Sequence, residues 1–288
     1  MIQRRNLVDT ALKTALRMRE AANLRLNDAV CAYDFAEQNG IKDVRFVDIP
    51  SLEEMYFKNS STILVSTYRP AGRKAYNCAH GLGHHIFKHG NCIIEFQAEQ
   101  DKKSRFDADE FLAECFAGFL LMPKVAVSYG FSSRGWDMKS CTPLQMYTVA
   151  GWLGVGYQTL IHHMRDSLNL LSPTQATELT KVHHKQLRSR IIGMDIAENV
   201  VIVDLQWRGR PIDIEVGDLI IAPPDVCFEG VSLSLAEKQL TSTIYSGKKP
   251  GLARLSHLES GWSAYVRVSR RDYVGLNTYR HFEDPDYD

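Results

Sequence analysis

Residues 75–88 read AYNCAHGLGHHIFK and residues 110–123 read EFLAECFAGFLLMP, and the expected architecture is organised around these two stretches. The first suits a helix apart from its two glycines, and a His-Gly-Asn sequence follows it as a helix end. The second has an apolar stripe at helical spacing and stops at Pro123, which cannot continue a helix. The sequence therefore predicts two helices, over residues 75–88 and about 108–122.

Two histidines on the first helix form a candidate metal site. His80 and His84 are four residues apart, so both imidazoles leave one face of the helix and can bind one tetrahedral zinc ion. This spacing alone is weak, because ten histidines in 288 residues produce such pairs by chance. On the second helix Glu110 and Glu114 share a face, and either can supply the third ligand of a two-His, one-Glu site.

A second histidine pair lies on another face of the same helix. His85 and His89 are also four residues apart, about 140° round the helix from the first pair. The two pairs therefore cannot serve one ion. We interpret His89 as a histidine favoured by the C-terminal end of the helix dipole, and His85 as a partly buried side chain.

The two stretches resemble the ImmA/IrrE metallopeptidases, whose signature is an AHELGH helix followed by an E-x-x-A-N-x-F-A-x-x-L-L-M-P helix. The matching segments are residues 79–84, AHGLGH, and residues 110–123. The resemblance covers about the first 190 residues. It implies that His80, His84 and Glu110 are the zinc ligands, with water in an open fourth position.

Two departures from the family pattern bear on activity. Glu114 stands where the family has Asn, and Gly81 stands where it has the Glu of HExxH. That Glu is the general base that takes a proton from the metal-bound water, and glycine cannot replace it. We therefore expect a weak or inactive peptidase, and we expect that glutamate at position 81 would restore the base while favouring the helix.

Other side chains are candidates for a substitute base. They are Glu114, Glu95, Glu99 and His85, and the sequence places none of them where the missing carboxylate would be.

The resemblance implies a zinc-dependent endopeptidase that cleaves a helix-turn-helix transcriptional repressor and so switches on stress, defence or mobile-element genes, here inactivated at Gly81. Two alternatives stay open. One is a pseudopeptidase that holds zinc and binds a partner without cutting it. The other is a DNA-binding regulator acting through residues 143–169, which have the rhythm of a helix-turn-helix. Nucleic acid as a trigger and a homodimer are further expectations.

Cys92 follows the end of the first predicted helix and has two interpretations. It is an ordinary loop cysteine, which we favour, or it folds back so that its thiolate fills the fourth zinc position and acts as a switch.

Composition limits the remaining function classes. The chain has 34 Lys and Arg and 34 Asp and Glu, so no net field attracts it to nucleic acid or to a membrane. No apolar run reaches the roughly 20 residues that span a bilayer, and charges interrupt the N-terminal stretch where a signal segment would lie. We expect a cytoplasmic protein with no membrane contact.

The fold class expected is α+β, with three parts. Residues 1–142 form a mainly helical domain with a small sheet, residues 143–190 a helix-turn-helix-like segment and linker, and residues 191–288 a β-rich domain. The resemblance implies that the first is a zincin-like metallopeptidase domain and that the last is a sensor, GAF-like in some members of the family. A β-rich lid or a dimer surface is the alternative for the last domain. In the first part, VRFVDI and STILVS are predicted as strands, and SLEEMYF between them (residues 51–57) as a helix.

Overall fold

The computed structural model describes residues 2–96 and 106–282. The chain divides into two compact units. Of the described residues, the first unit contains 2–96, 106–130, 153–156 and 274–277, and the second contains the others. The three-part division expected from the sequence stays a prediction.

The elements follow one another as a mostly helical half and a mostly β half. The helices are α1 (Ile2–Ala21), α2 (Ala32–Gln38), α3 (Ala71–Ile86), α4 (Ala108–Leu121), α5 (Lys124–Ser132), α6 (Pro143–Leu153), α7 (Tyr157–Asp166), α8 (Pro173–Thr180) and α9 (His184–Ile192). The strands are β1 (Asp43–Val47), β2 (Leu52–Phe57), β3 (Thr62–Ser66), β4 (Cys92–Glu95), β5 (Val200–Ile202), β6 (Ile212–Glu215), β7 (Leu219–Ala222), β8 (Val226–Glu229), β9 (Leu233–Lys238), β10 (Thr243–Gly247), β11 (Gly251–His257), β12 (Trp262–Ser269) and β13 (Gly275–Leu276). The α+β class is confirmed.

The first unit contains a five-stranded sheet in the order β13-β1-β3-β2-β4. Strands β1 and β3 are parallel, and the other pairs are antiparallel. The prediction of a helix over residues 51–57 is wrong, because this segment contains β2. Its Leu, Glu and Met residues favour a helix locally, but hydrogen bonding to strands on both sides decides the outcome.

Close packing of α3 on α4 positions the candidate site. A Cβ atom at Gly83 would lie 3.0 Å from the Cα of Ala113, so the close approach of the two helices needs glycine there. Arg19 of α1 is fully buried and donates to the carbonyl of Leu120 at 2.7 Å, and burial lowers its pKa to about 10. These contacts hold α4 against α1 and α3.

The segment formed by α4 and α5 is long and apolar enough, by length and composition, to cross a membrane. About two thirds of its apolar stretch is nevertheless buried in the protein (67%). Such burial is typical of the core helix of a folded protein.

The second unit contains α6 to α9 and two four-stranded sheets, ordered β5-β7-β10-β9 and β6-β12-β11-β8. The C-terminal region is therefore β-rich, as expected. Its assignment as a GAF-like sensor stays a prediction.

Candidate metal centre

Helix α3 presents two buried imidazoles side by side. His80 and His84 are each only 3% exposed, and their ring centroids are 4.7 Å apart. The Nε2 atom of each ring is buried and has no hydrogen-bond partner among the described residues. A buried nitrogen without a partner is costly, so this pair of atoms indicates a group that the polypeptide itself does not supply.

Glu110, at the start of α4, faces both nitrogens. Its Oε1 lies 3.3 Å from Nε2 of His80, and its Oε2 lies 3.4 Å from Nε2 of His84. The helix begins here because the Asp107 side chain accepts hydrogen bonds from the backbone N–H groups of Asp109 and Glu110. The structure thus brings together the three residues that the sequence selected as ligands.

Behind His80 lies a carboxylate that the sequence analysis missed. Oε1 of Glu54, on β2, lies 2.6 Å from Nδ1 of His80, and the Glu54 side chain is almost fully buried. Glu54, His80 and His84 form a group whose possible ligand atoms lie within 4.8 Å of one another. With Nε2 as the metal-facing atom, Nδ1–H of His80 donates to Glu54, which fixes the tautomer and the ring orientation.

Behind His84 lies His89. The two Nδ1 atoms are 3.0 Å apart, and Nε2 of His89 lies 3.5 Å from Oδ1 of Asp109. With Nε2 of His84 facing a metal, its Nδ1–H donates to Nδ1 of His89. The Nε2–H of His89 then points toward Asp109, so the second ligand has an outer partner of its own.

The charges around the site favour a cation. Burial by itself lowers the pKa of His80, but the carboxylates of Glu54 and Glu110 outweigh burial and raise the pKa to about 10. Burial raises the pKa of Glu110, but the adjacent imidazoles outweigh it and hold that pKa well below its usual range. The two carboxylates therefore favour a positive charge at the imidazoles. A bound proton supplies that charge in one state, and a divalent ion can supply it in another. Two imidazoles and a carboxylate are a donor set that fits zinc.

Cys92, the first residue of β4, adds a thiol to the same place. Its Sγ lies 3.6 Å from Oε2 of Glu110, and His84, Cys92 and Glu110 form a second group within 4.8 Å. Burial, together with the Glu110 charge, raises the pKa of the thiol. Cys92 thus lies beside Glu110 and His84, and its role as a ligand stays a prediction.

Position 81 has no room for a longer side chain without adjustment. A Cβ atom there would lie 3.1 Å from Cγ1 and Cδ1 of Ile63, a fully buried residue of β3. A glutamate at position 81 therefore requires the Ile63 side chain to move by a few tenths of an ångström, and the expectation that it leaves folding intact stays a prediction.

None of the described candidates for a substitute base belongs to either candidate metal group. Glu114 is exposed and belongs to neither metal-binding group, and its backbone carbonyl accepts a hydrogen bond from Tyr76. Glu95 is exposed on β4, and Nδ1 of His85 pairs with the hydroxyl of Tyr56 at 3.0 Å. Glu99 lies outside the described residues.

The helix-turn-helix-like segment consists of α6 and α7. His163, on α7, is buried. Arg165 is held by Asp166, with Nε and Nη2 each 2.6 Å from a carboxylate oxygen, so its charge is neutralised locally. No observation on this segment favours DNA contact over packing.

The comparison with known families covers the part of the chain that contains the site. The family model of the IrrE N-terminal-like domain, peptidase M78, matches residues 36–165. No curated protein matches this chain. Among solved structures, a Mycobacterium tuberculosis transcriptional regulator is similar at 16% identity, with a TM-score of 0.38 over 60% of this chain. The match spans 54% of that regulator.

Proposed function

Since residues 36–165 form a domain of the IrrE N-terminal-like family, we propose that the chain is a zinc-binding pseudopeptidase. His80, His84 and Glu110 hold one zinc ion. The chain binds a helix-turn-helix repressor as a partner and cuts it poorly or not at all.

The unpartnered Nε2 atoms of His80 and His84 carry this proposal. Both are buried and aimed at a single carboxylate, and each ring is held from behind by another side chain. A packed, purely structural histidine pair would have its nitrogens satisfied by protein donors or acceptors.

The loss of cutting follows from position 81. In a peptidase of this type, zinc polarises the peptide carbonyl and makes its bound water more acidic, and a carboxylate base completes the reaction. Here the base position is a glycine, and the space beside it is filled by Ile63. Absence of a general base lowers the rate by about 10² to 10⁴.

The edge of the five-stranded sheet supports partner binding. Strand β4 is last in the strand order, and it begins at Cys92 beside the site. Ile93 and Phe96 on and beside this strand are more than half exposed, at 58% and 57%. An extended peptide can add to such an edge through backbone hydrogen bonds, with apolar side chains giving selectivity.

The first experiment tests zinc. We expect about one zinc per chain by metal analysis, and a loss of affinity of roughly 100-fold or more in Glu110→Ala, because a ligand is removed. Glu114→Ala is the matched control, being exposed one turn further along α4, and should retain the metal. Absence of zinc in the unmodified chain would overturn the proposal, and the reverse order of the two variants would assign the third ligand to Glu114.

The second experiment tests cutting. The repressor encoded beside the gene is incubated with the unmodified chain and with Gly81→Glu combined with Ile63→Ala, each loaded with zinc, with and without nucleic acid. The second substitution makes room for the glutamate. We expect binding without cleavage by the unmodified chain and cleavage by the double variant.

The matched control is Gly81→Gln with Ile63→Ala, which has the same shape without a base and should not cut. Because Ile→Ala costs about 2–5 kcal/mol in a core, zinc content and unfolding are measured for both variants. Cleavage by the unmodified chain at the rate of the glutamate variant would contradict the pseudopeptidase, and Glu54 would then be the first base to test.

A further inference from the structure

Cys92 contacts the candidate ligands from a different element. Helix α3 supplies the two histidines, α4 supplies Glu110, and the thiol comes from the start of β4. Glu110 contacts all the others, with its oxygens 3.3 Å from His80, 3.4 Å from His84 and 3.6 Å from Cys92. The carboxylate is therefore the common neighbour of two unpartnered nitrogens and one sulfur.

We propose that Cys92 is the fourth protein ligand, so that the zinc site of this chain is closed. This inference rests on the zinc binding proposed above. It replaces the open, water-filled position that the family resemblance implies with a sulfur supplied by the chain.

The separations between the Glu110 oxygens and their neighbours are of the size found between ligands of one zinc ion. Zinc binds nitrogen and oxygen at about 2.0–2.1 Å and sulfur at about 2.3 Å, so tetrahedral ligands are separated by about 3.3 Å for N and O and about 3.6 Å for O and S. Oε2 of Glu110 lies 3.4 Å from Nε2 of His84 and 3.6 Å from Sγ of Cys92, and Oε1 lies 3.3 Å from Nε2 of His80. Without a metal the Cys92 thiol donates a hydrogen bond to Oε2, and a zinc ion would take the place of that proton.

A closed site has a structural consequence. Four protein ligands on one zinc ion are typical of structural sites, whereas catalytic sites keep a position for water. With Cys92 bound, the ion joins β4 to α3 and α4 and fixes the beginning of the edge strand. The missing base and the closed coordination are then consistent with each other. Zinc stabilises the strand edge at which the partner binds, and it performs no hydrolysis.

Cobalt substitution of the full chain tests this inference. Cobalt replaces zinc in the same ligands and shows an intense sulfur-to-metal absorption in the near ultraviolet when a thiolate is bound. We expect that band in the unmodified chain and in Cys115→Ser, and we expect its loss in Cys92→Ser. The Cys92→Ser variant should also bind zinc roughly tenfold to 100-fold more weakly. Cys115, half-buried on α4 beside Glu114, is the matched control.

Alkylation gives a second readout that does not depend on cobalt. Iodoacetamide should label Cys92 after zinc removal and leave it unlabelled in the zinc-loaded chain, while exposed Cys227 is labelled in both. Tetrahedral cobalt bands without the sulfur absorption, or equal labelling of Cys92 in both forms, would overturn the fourth ligand and leave the proposed function standing. Failure to bind either metal would overturn both.

Discussion

Two carboxylates in this molecule have several nitrogen atoms around them. One of them receives hydrogen bonds from those nitrogen atoms, and the other faces two nitrogen atoms at longer distances. Asp213, in the second unit, accepts from Nε and Nη2 of Arg267 at 2.6 and 2.9 Å and from Arg280 at 3.1 Å. Glu110, in the first unit, faces two imidazole Nε2 atoms at 3.3 and 3.4 Å that have no hydrogen-bond partner. The first cluster is complete within the chain.

The difference lies in the chemistry of the nitrogens. A guanidinium group always carries donors and a charge, so Arg267 and Arg280 satisfy Asp213 directly. Burial raises the pKa of Asp213, but these arginines outweigh it and hold the pKa below the usual range. An imidazole Nε2 either carries a proton, as the raised pKa of His80 favours without a metal, or is an acceptor that can bind a metal facing Glu110. The histidine cluster can therefore hold a proton or a metal, whereas the arginine cluster is a structural ion pair.

The largest effect is expected from removing both imidazoles. The double variant His80→Ala, His84→Ala should lose its zinc completely, because a site left with one carboxylate and one thiol does not retain the ion through purification. Metal analysis of the purified chain measures this. Retention of stoichiometric zinc would show that the ion binds elsewhere. The Glu110 cluster would then not be a metal site that differs from the ion-pair cluster at Asp213.

Breaking the other cluster should change stability instead of metal content. Asp213→Ala removes the partly buried carboxylate that Arg267 and Arg280 share and should cost up to about 3–5 kcal/mol in the free energy of unfolding. Urea denaturation measures this, and the exposed Asp225→Ala should change stability by less than about 0.5 kcal/mol. Loss of zinc in a folded Asp213→Ala chain would contradict the separation of the two roles.

The outer partners of the histidines should have a smaller effect. Glu54→Gln and His89→Ala should each weaken zinc binding by about 10- to 100-fold, with Glu54 the larger because its charge lies 2.6 Å from His80. Competition with a chelator gives the affinities. Glu95→Gln, an exposed change on β4, is the control. If it weakens zinc binding equally, the loss of a negative charge explains the effect and the contact with the histidine does not.

The last prediction concerns the pH dependence of stability. Burial, with Arg280 nearby, lowers the pKa of His281 to about 3, although Asp213 opposes the shift. The unfolded chain takes up this proton near pH 6.5 and the folded chain does not, so stability falls as pH drops from about 6.5 toward 3. His281→Gln should remove up to about 1.4 kcal/mol per pH unit of that slope. Identical slopes in urea titrations of the two chains would show that His281 is not buried as a neutral ring.

The mistaken helix over residues 51–57 shows why part of the site was missed. Glu54 looks like a solvent-facing residue when LEEM is taken as a helix, and nothing in the local sequence relates it to His80. Because β2 pairs with β3 and β4, the Glu54 side chain is buried in the core. His89 was missed for a related reason. If the helix continued to residue 89, its spacing from His85 would place His89 on a different face from His84. Because α3 ends at Ile86, the chain turns, and the His89 ring lies against the His84 ring.

The sequence by itself determined the class of the fold, the helices that bear His80, His84 and Glu110, and the absence of a carboxylate at position 81. These follow from local periodicity and residue identity, which act over a few turns of chain. Only the tertiary structure decided that Glu54 and His89 stand behind the histidines, that Cys92 meets Glu110, and that Ile63 fills the space beside Gly81. Each of these contacts joins separate segments, and close packing of α3, α4 and the sheet brings them together.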